Sequence, residues 1–295
     1  MKPTEALHRQ GQSLWLDNIT RDLLDSGRIQ RYIEQYSVTG LTSNPSIFDK
    51  AIASGDYDDA IRDKARRGLS GEELFFELAI EDLRRAADLF RPVHQRSDGV
   101  DGWVSLEVSP LLAHDTQRTL DAVKSLHRRA GRDNLLIKIP GTPEGLPAIE
   151  EAIASGVPVN VTLLFSAGQY RAAAGAFLRG AERRVEQGLD PDVGSVASVF
   201  MSRWDAAVAA RVPDALKDRL GLAVGLDGYH AYRELMDSDR WQRLANAGAR
   251  VQRLPGPAST KDPEASDTLY VPRTRCPVYH QHHAGLDPGG ILRAR

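Results

Sequence analysis

The sequence predicts a (β/α)₈ barrel, an α/β fold with parallel strands inside and helices outside, on three observations. Short apolar, β-branched runs alternate with longer stretches of helical period, the pattern of a parallel sheet wrapped by helices. Seven such units in 295 residues suit a barrel better than an open sheet. No internal repeat or low-complexity linker divides the chain, so residues 1–270 are expected to form one domain.

The strands are predicted in order at 13–17, 37–42, 103–108, 135–139, 158–164, 195–200 and 250–254. The gap from Pro45 to Gly102, about residues 45–102, reads as extra helices inserted after the second strand. Within it a helix over 71–90 begins at the capping box Ser70-Gly71-Glu72-Glu73, with Leu74, Phe75, Leu78 and Ala79 on one face. Another begins at Ser166-Ala167-Gly168-Gln169 and runs through Tyr170, Ala174, Phe177 and Leu178. Beyond Tyr270 neither period persists. Residues 271–295 are therefore expected to be an aberrant tail without ordered structure, and a proper eighth strand and terminal helix are not expected. Such a barrel would leave strands one and seven with open edges, and the chain would be poorly soluble or only partly folded.

Charge is nearly balanced, 38 Lys+Arg against 40 Asp+Glu, which argues against a nucleic-acid or membrane-surface partner. No stretch approaches the roughly 18 apolar residues of a membrane span. The single cysteine, Cys276, fits a reducing compartment, and a cytoplasmic location is expected. A small anionic substrate needs only two or three well-placed cations.

In a barrel of this kind the chemistry sits at the carboxyl ends of the strands. Those ends carry Asp17, then Thr42-Ser43-Asn44, Glu107, Lys138, Asn160 with Thr162, and Ser198 leading to Arg203. Lys138 interrupts Leu135-Leu136-Ile137 and Ile139, where an apolar setting disfavours the charged amine and a neutral amine can attack a carbonyl. A structural lysine that reaches solvent or pairs with a carboxylate fits the same pattern. Asp17 and Glu107 could share proton transfers. Equally, each could pair with Lys138 or cap a helix, Asp17 the one beginning near Thr20. Arg203 could clamp a phosphate or lie on the surface. His280, His282 and His283 match no helical ligand spacing, so no metal site is expected. No glycine-rich nucleotide loop follows a strand.

Five segments then acquire a common meaning. They are Leu16-Asp17-Asn18, Val38 through Phe48, Ser105-Leu106-Glu107-Val108, Leu136-Ile137-Lys138-Ile139-Pro140 and Val159 through Ser166. Together, in this order over about residues 10 to 270, they resemble transaldolases, most closely the bacterial branch with a helical insert after strand two. The resemblance implies a (β/α)₈ barrel of the pentose phosphate pathway. Such an enzyme moves a dihydroxyacetone unit from sedoheptulose 7-phosphate to glyceraldehyde 3-phosphate through a lysine Schiff base. It implies Lys138 as the Schiff-base lysine, Asp17 as acid/base, and Glu107 with Thr162 positioning water. Asn44, Asn160 and Ser198 would hold the donor hydroxyls, and Arg203 with Lys261 the phosphate. It implies no metal or organic cofactor, because the imine is the electron sink. Two alternatives stay open: an inactive, truncated barrel remnant, and a fructose-6-phosphate aldolase-like enzyme. Glu107 favours transfer over simple aldol cleavage.

The departures from that family lie late. Pro255 and Pro257 interrupt the seventh strand, and the family's Asn-Thr-Met-Pro motif is missing. Residues 279–292 can be back-translated with codons that, shifted by one base, read Thr-Thr-Asn-Thr-Met-Pro-Gly-Trp-Thr-Leu-Glu-Ala-Phe. The tail is thus expected to be a frameshift product, a sequencing error or a real lesion, which resequencing of the locus decides.

Overall fold

The computed structural model describes residues 2–257, 269–270 and 279–283, with Pro257 and the last five by their backbone alone. Its strands are β1 (Leu14–Leu16), β2 (Val38–Thr42), β3 (Trp103–Glu107), β4 (Leu135–Pro140), β5 (Val159–Leu164), β6 (Ser195–Val199), β7 (Leu254–Pro257) and β8 (Tyr279–His283). The helices are α1 (Pro3–Arg9), α2 (Arg21–Asp25), α3 (Arg28–Tyr36), α4 (Pro45–Ile52), α5 (Asp58–Arg66), α6 (Gly71–Arg96), α7 (Thr116–Ala130), α8 (Gly145–Ala154), α9 (Ala167–Glu186), α10 (Ser202–Val208), α11 (Leu220–Met236) and α12 (Asp239–Asn246). The strands pair in parallel in the order β6-β5-β4-β3-β2-β1-β8-β7. The predicted barrel class holds.

The C-terminal part differs from the expectation in two respects. The seventh strand begins at Leu254 rather than spanning 250–254. An eighth strand exists: Tyr279–His283 lies between β1 and β7, with Leu14 opposite Gln281 and Leu254 opposite Tyr279. These five residues fall in the stretch expected to be without ordered structure, and they supply the partner that the edges of β1 and β7 were expected to lack. The expected absence of a terminal helix concerns residues outside the described ones.

The two prolines explain how the ends of the sheet meet. In a parallel strand alternate residues turn both backbone groups to the same neighbour. Arg253 turns toward β6, its N–H donating to Ser195 O at 3.1 Å and its carbonyl accepting from Ala197 N at 2.8 Å. Pro255 and Pro257 share that side and have no N–H, so the β6 contact stops at a single bridge, Val196 to Arg253.

The outward side chains of the strands, Leu41, Val104, Leu106, Leu135, Ile137, Ile139, Val159, Val161 and Val199 among them, join the helices in the main apolar core. Inside the barrel a separate layer is formed by Trp15, Trp103, Leu136 and Val196. Two glycines make room for it. A Cβ on Gly40 would stand 2.7 Å from the Trp15 indole, and one on Gly194 would stand 2.4 Å from the Trp103 ring. Toward the amino ends of the strands, Asp101 accepts from Ser13 Oγ at 2.5 Å and from Arg253 at 3.3 Å.

The predicted insert after β2 is α4, α5 and α6. The long helix starts at Ser70 as expected, but Ser70 makes no side-chain cap, and the helix runs through Pro92 to Arg96. Its second half is held by packing, with Leu83, Ala86, Ala87 and Phe90 fully buried. Buried Asp82 accepts from Tyr57 Oη at 2.6 Å and faces Arg21 at 3.3 Å, tying the insert to α2. No helix among the described residues is long and apolar enough to cross a membrane.

Candidate active site

Alternation along each strand decides what faces the barrel interior. Leu136 belongs to the interior layer and Ile137 to the outer core, so Lys138 faces inward. Glu107, Lys138 and Asn160 lie in register on three neighbouring strands, one level above the apolar layer. The tryptophans therefore form a floor, and the polar groups stand on it.

Lys138 is 6% exposed. Its Nζ lies 3.0 Å from Glu107 Oε2 and donates to Ser43 O at 3.3 Å. The pairing of Glu107 with Lys138, one of the alternatives open from sequence, is thus made, and it is compatible with proton exchange between the two groups. Ser43 Oγ in turn donates to Ser105 O at 2.8 Å, fixing the end of β2 against β3.

A second chain of contacts crosses the floor. Asn160 is fully buried; its Nδ2 donates to Ser105 Oγ at 3.0 Å, and its Oδ1 accepts from Ser198 Oγ at 2.9 Å. Thr162, two residues on and on the same side, keeps a buried Oγ1 with no hydrogen-bond partner among the described residues, as does Thr42 at the end of β2. An unmet buried hydroxyl costs about 1–3 kcal/mol, so each of the two has capacity left to bond a group that enters the barrel end. Directly after Thr162 the backbone breaks step. Leu163 adopts φ 60° and β5 shifts register between Val161 and Leu164, which turns the Leu163 side chain partly to solvent.

Asp17 is half-buried, two residues past the inward Trp15. It does not cap the next helix, because Thr20 does so, accepting from Leu23 N at 3.1 Å. Asn44 caps α4 through Oδ1, which accepts from Ile47 N at 3.1 Å, a bond in which its amide nitrogen takes no part. Arg203 is exposed on α10, its guanidinium 5.6 Å from the centre of the Phe200 ring. Phe200 stacks on Phe165 at 5.4 Å, giving the mouth an aromatic edge beside the arginine. Lys261 lies outside the described residues, as do the side chains of His280, His282 and His283. Among the described residues no group of three His, Cys, Asp or Glu is placed to hold a metal ion.

The structure thus joins Lys138, Glu107, Asn160 and Ser198 in one contacting set. Ser43 and Ser105 complete it; sequence reasoning placed Ser43 at a strand end without giving it a role, and passed over Ser105. Ser105 had a signal, since it lies two residues before Glu107 and so faces the same way. Ser43 had none, because its part is played by a backbone carbonyl.

Comparison with known proteins identifies the family. The family model described as transaldolase/fructose-6-phosphate aldolase matches residues 14–277. A transaldolase of Thermobifida fusca is 49% identical over 279 residues, covering 91% of this chain and 76% of that protein. A transaldolase of an Arthrobacter species is 46% identical, covering 91% and 75%, and transaldolase 2 of a Nostoc species is 43% identical, covering 88% and 74%.

Proposed function

Because the chain belongs to the transaldolase/fructose-6-phosphate aldolase family, we propose that it works as a transaldolase on the residues just described. The reaction is the transfer of a dihydroxyacetone unit from sedoheptulose 7-phosphate to glyceraldehyde 3-phosphate, in the pentose phosphate pathway. The observation that carries the assignment of roles is the buried Lys138 amine, 3.0 Å from Glu107 and standing with Asn160 above the apolar floor.

Glu107 takes the proton that the ammonium must lose, and the neutral amine adds to the donor's C2 carbonyl. Water leaves the carbinolamine to give the imine, with Glu107 and Thr162 holding that water and returning it at hydrolysis. Asp17 removes the proton of the C4 hydroxyl. The C3–C4 bond breaks, its electron pair moves into the imine as an enamine, and the aldose phosphate departs. The acceptor aldehyde then enters, the enamine carbon attacks it, and Asp17 returns the proton to the new alkoxide. Hydrolysis of the second imine releases the ketose product and the free lysine. Asn44, Asn160 and Ser198 hold the donor hydroxyls, while Arg203 and Lys261 take the phosphate. The organic steps need no metal or other cofactor. The pathway and the lone cysteine both fit a cytoplasmic location.

Cleavage without transfer is the second reading, kept by the family's own breadth. Turnover of fructose 6-phosphate is measured with and without an acceptor aldehyde. A transaldolase turns over only with the acceptor, whereas release of free dihydroxyacetone in its absence identifies an aldolase. The strand at Tyr279–His283 supports a closed barrel over an inactive remnant.

A further inference from the structure

We infer that Asp205 and Tyr270 form a buried positioning pair that sets Arg203 for the substrate phosphate, an inference that rests on the phosphate reading of Arg203. Arg203 projects from α10, a helix of seven residues whose start has no side-chain cap. So short a helix does not fix its own place, because the cost of nucleation outweighs its few internal bonds. Something outside it must.

Asp205, two residues after the exposed arginine, is buried. Its Oδ1 accepts from Gly221 N at 2.9 Å, and its Oδ2 accepts from Tyr270 Oη at 2.5 Å. Tyr270 is itself among the largest fully buried side chains. The fit at Gly221 leaves no slack: a Cβ there would stand 2.4 Å from Asp205 Oδ2 and 2.7 Å from Met201 O. The carboxylate therefore locks α10 to the first turn of α11 and to Tyr270. A second tether works from the neighbouring residue, Trp204 Nε1 donating to Phe165 O at 2.9 Å. Arg203, directly before the two tethered residues, is exposed at the mouth beside Phe200. A buried carboxylate bonded by two donors is a strong and directional anchor. Neither Asp205 nor Tyr270 has a place in the chemistry described above.

The test is kinetic, in the full chain, with Tyr270→Phe and Asp205→Asn. The KM for fructose 6-phosphate and the inhibition constant for inorganic phosphate should rise together by about tenfold, within what loss of a hydrogen bond to a charged group costs. kcat should stay within about twofold of the parent. Arg203→Ala should show the same split, and adding Tyr270→Phe to it should bring little further loss, because the two changes act through one contact. Folded Tyr270→Phe and Asp205→Asn proteins with unchanged KM and unchanged phosphate inhibition overturn the inference, even if both melt earlier. Arg203→Ala with unchanged values for both overturns the phosphate reading instead, and the two failures are told apart by that control.

Discussion

Gly40→Ala adds one methyl group where the barrel has no room for it. Its Cβ would stand 2.7 to 2.8 Å from Cε2, Nε1 and Cδ1 of Trp15. An ordinary contact needs roughly 3.4–4 Å, so the indole must move by about 1 Å. It cannot yield easily, because it is 1% exposed and packed with Trp103, Leu136 and Val196. Overpacking of this kind costs about 1–3 kcal/mol, a fall in melting temperature of roughly 2–5 °C for a chain of this length. The same displacement reaches the chemistry, since Asp17 follows Trp15 by two residues. A misplacement near 1 Å costs up to about a hundredfold in rate. Thermal unfolding and steady-state kinetics read both effects. Trp15→Ala removes the indole that meets the new methyl, so in the double variant the losses should be less than additive. A Gly40→Ala protein that melts within a degree of the parent with unaltered kcat, or strictly additive losses, would refute this account of the floor.

Three further outcomes follow from the structure. Arg253→Met strands the buried Asp101 carboxylate and should lower unfolding free energy by about 3–5 kcal/mol in denaturant titration, whereas a loss below about 1 kcal/mol contradicts the role of that pair. Burial holds the His127 imidazole below its ordinary value of 6.5, so the folded state binds fewer protons than the unfolded one. Its contribution to stability is therefore full above that value and is lost as pH falls through it; His127→Gln should flatten the stability profile between about pH 7 and pH 5. Glu107→Gln should slow imine formation and hydrolysis by about a hundredfold or more while leaving Lys138 able to form an adduct, seen in single-turnover traces.

Much of the fold was legible because the strands announce themselves. Leu135 to Ile139 is an unbroken apolar run around one lysine, and burial on both faces of a barrel strand demands that run. The inward row of Glu107, Lys138, Asn160 and Ser198 could be read from alternation alone. The seventh strand was misplaced by four residues because Arg250 to Leu254 carries the apolar signal, whereas the pairing falls on the prolines. Nothing local says that Pro255 and Gly256 pair with a strand far downstream. The eighth strand was missed for a related reason: Tyr279–His283 has no strand-like composition, and its place is set by the gap between β1 and β7. The Ser105 link joins residues 55 positions apart and the Asp205–Tyr270 pair residues 65 apart, while the Trp15 floor gathers side chains from four strands with only a glycine to hint at the crowding.

The central claim is that Lys138 forms a Schiff base with a ketose phosphate. The full chain is incubated with fructose 6-phosphate, reduced with borohydride and digested, and the peptides are mapped by mass. A reduced three-carbon adduct on the peptide carrying Lys138, absent from Lys138→Ala, is the result expected. Soluble, folded protein that yields no adduct, or one on a different lysine, would contradict it.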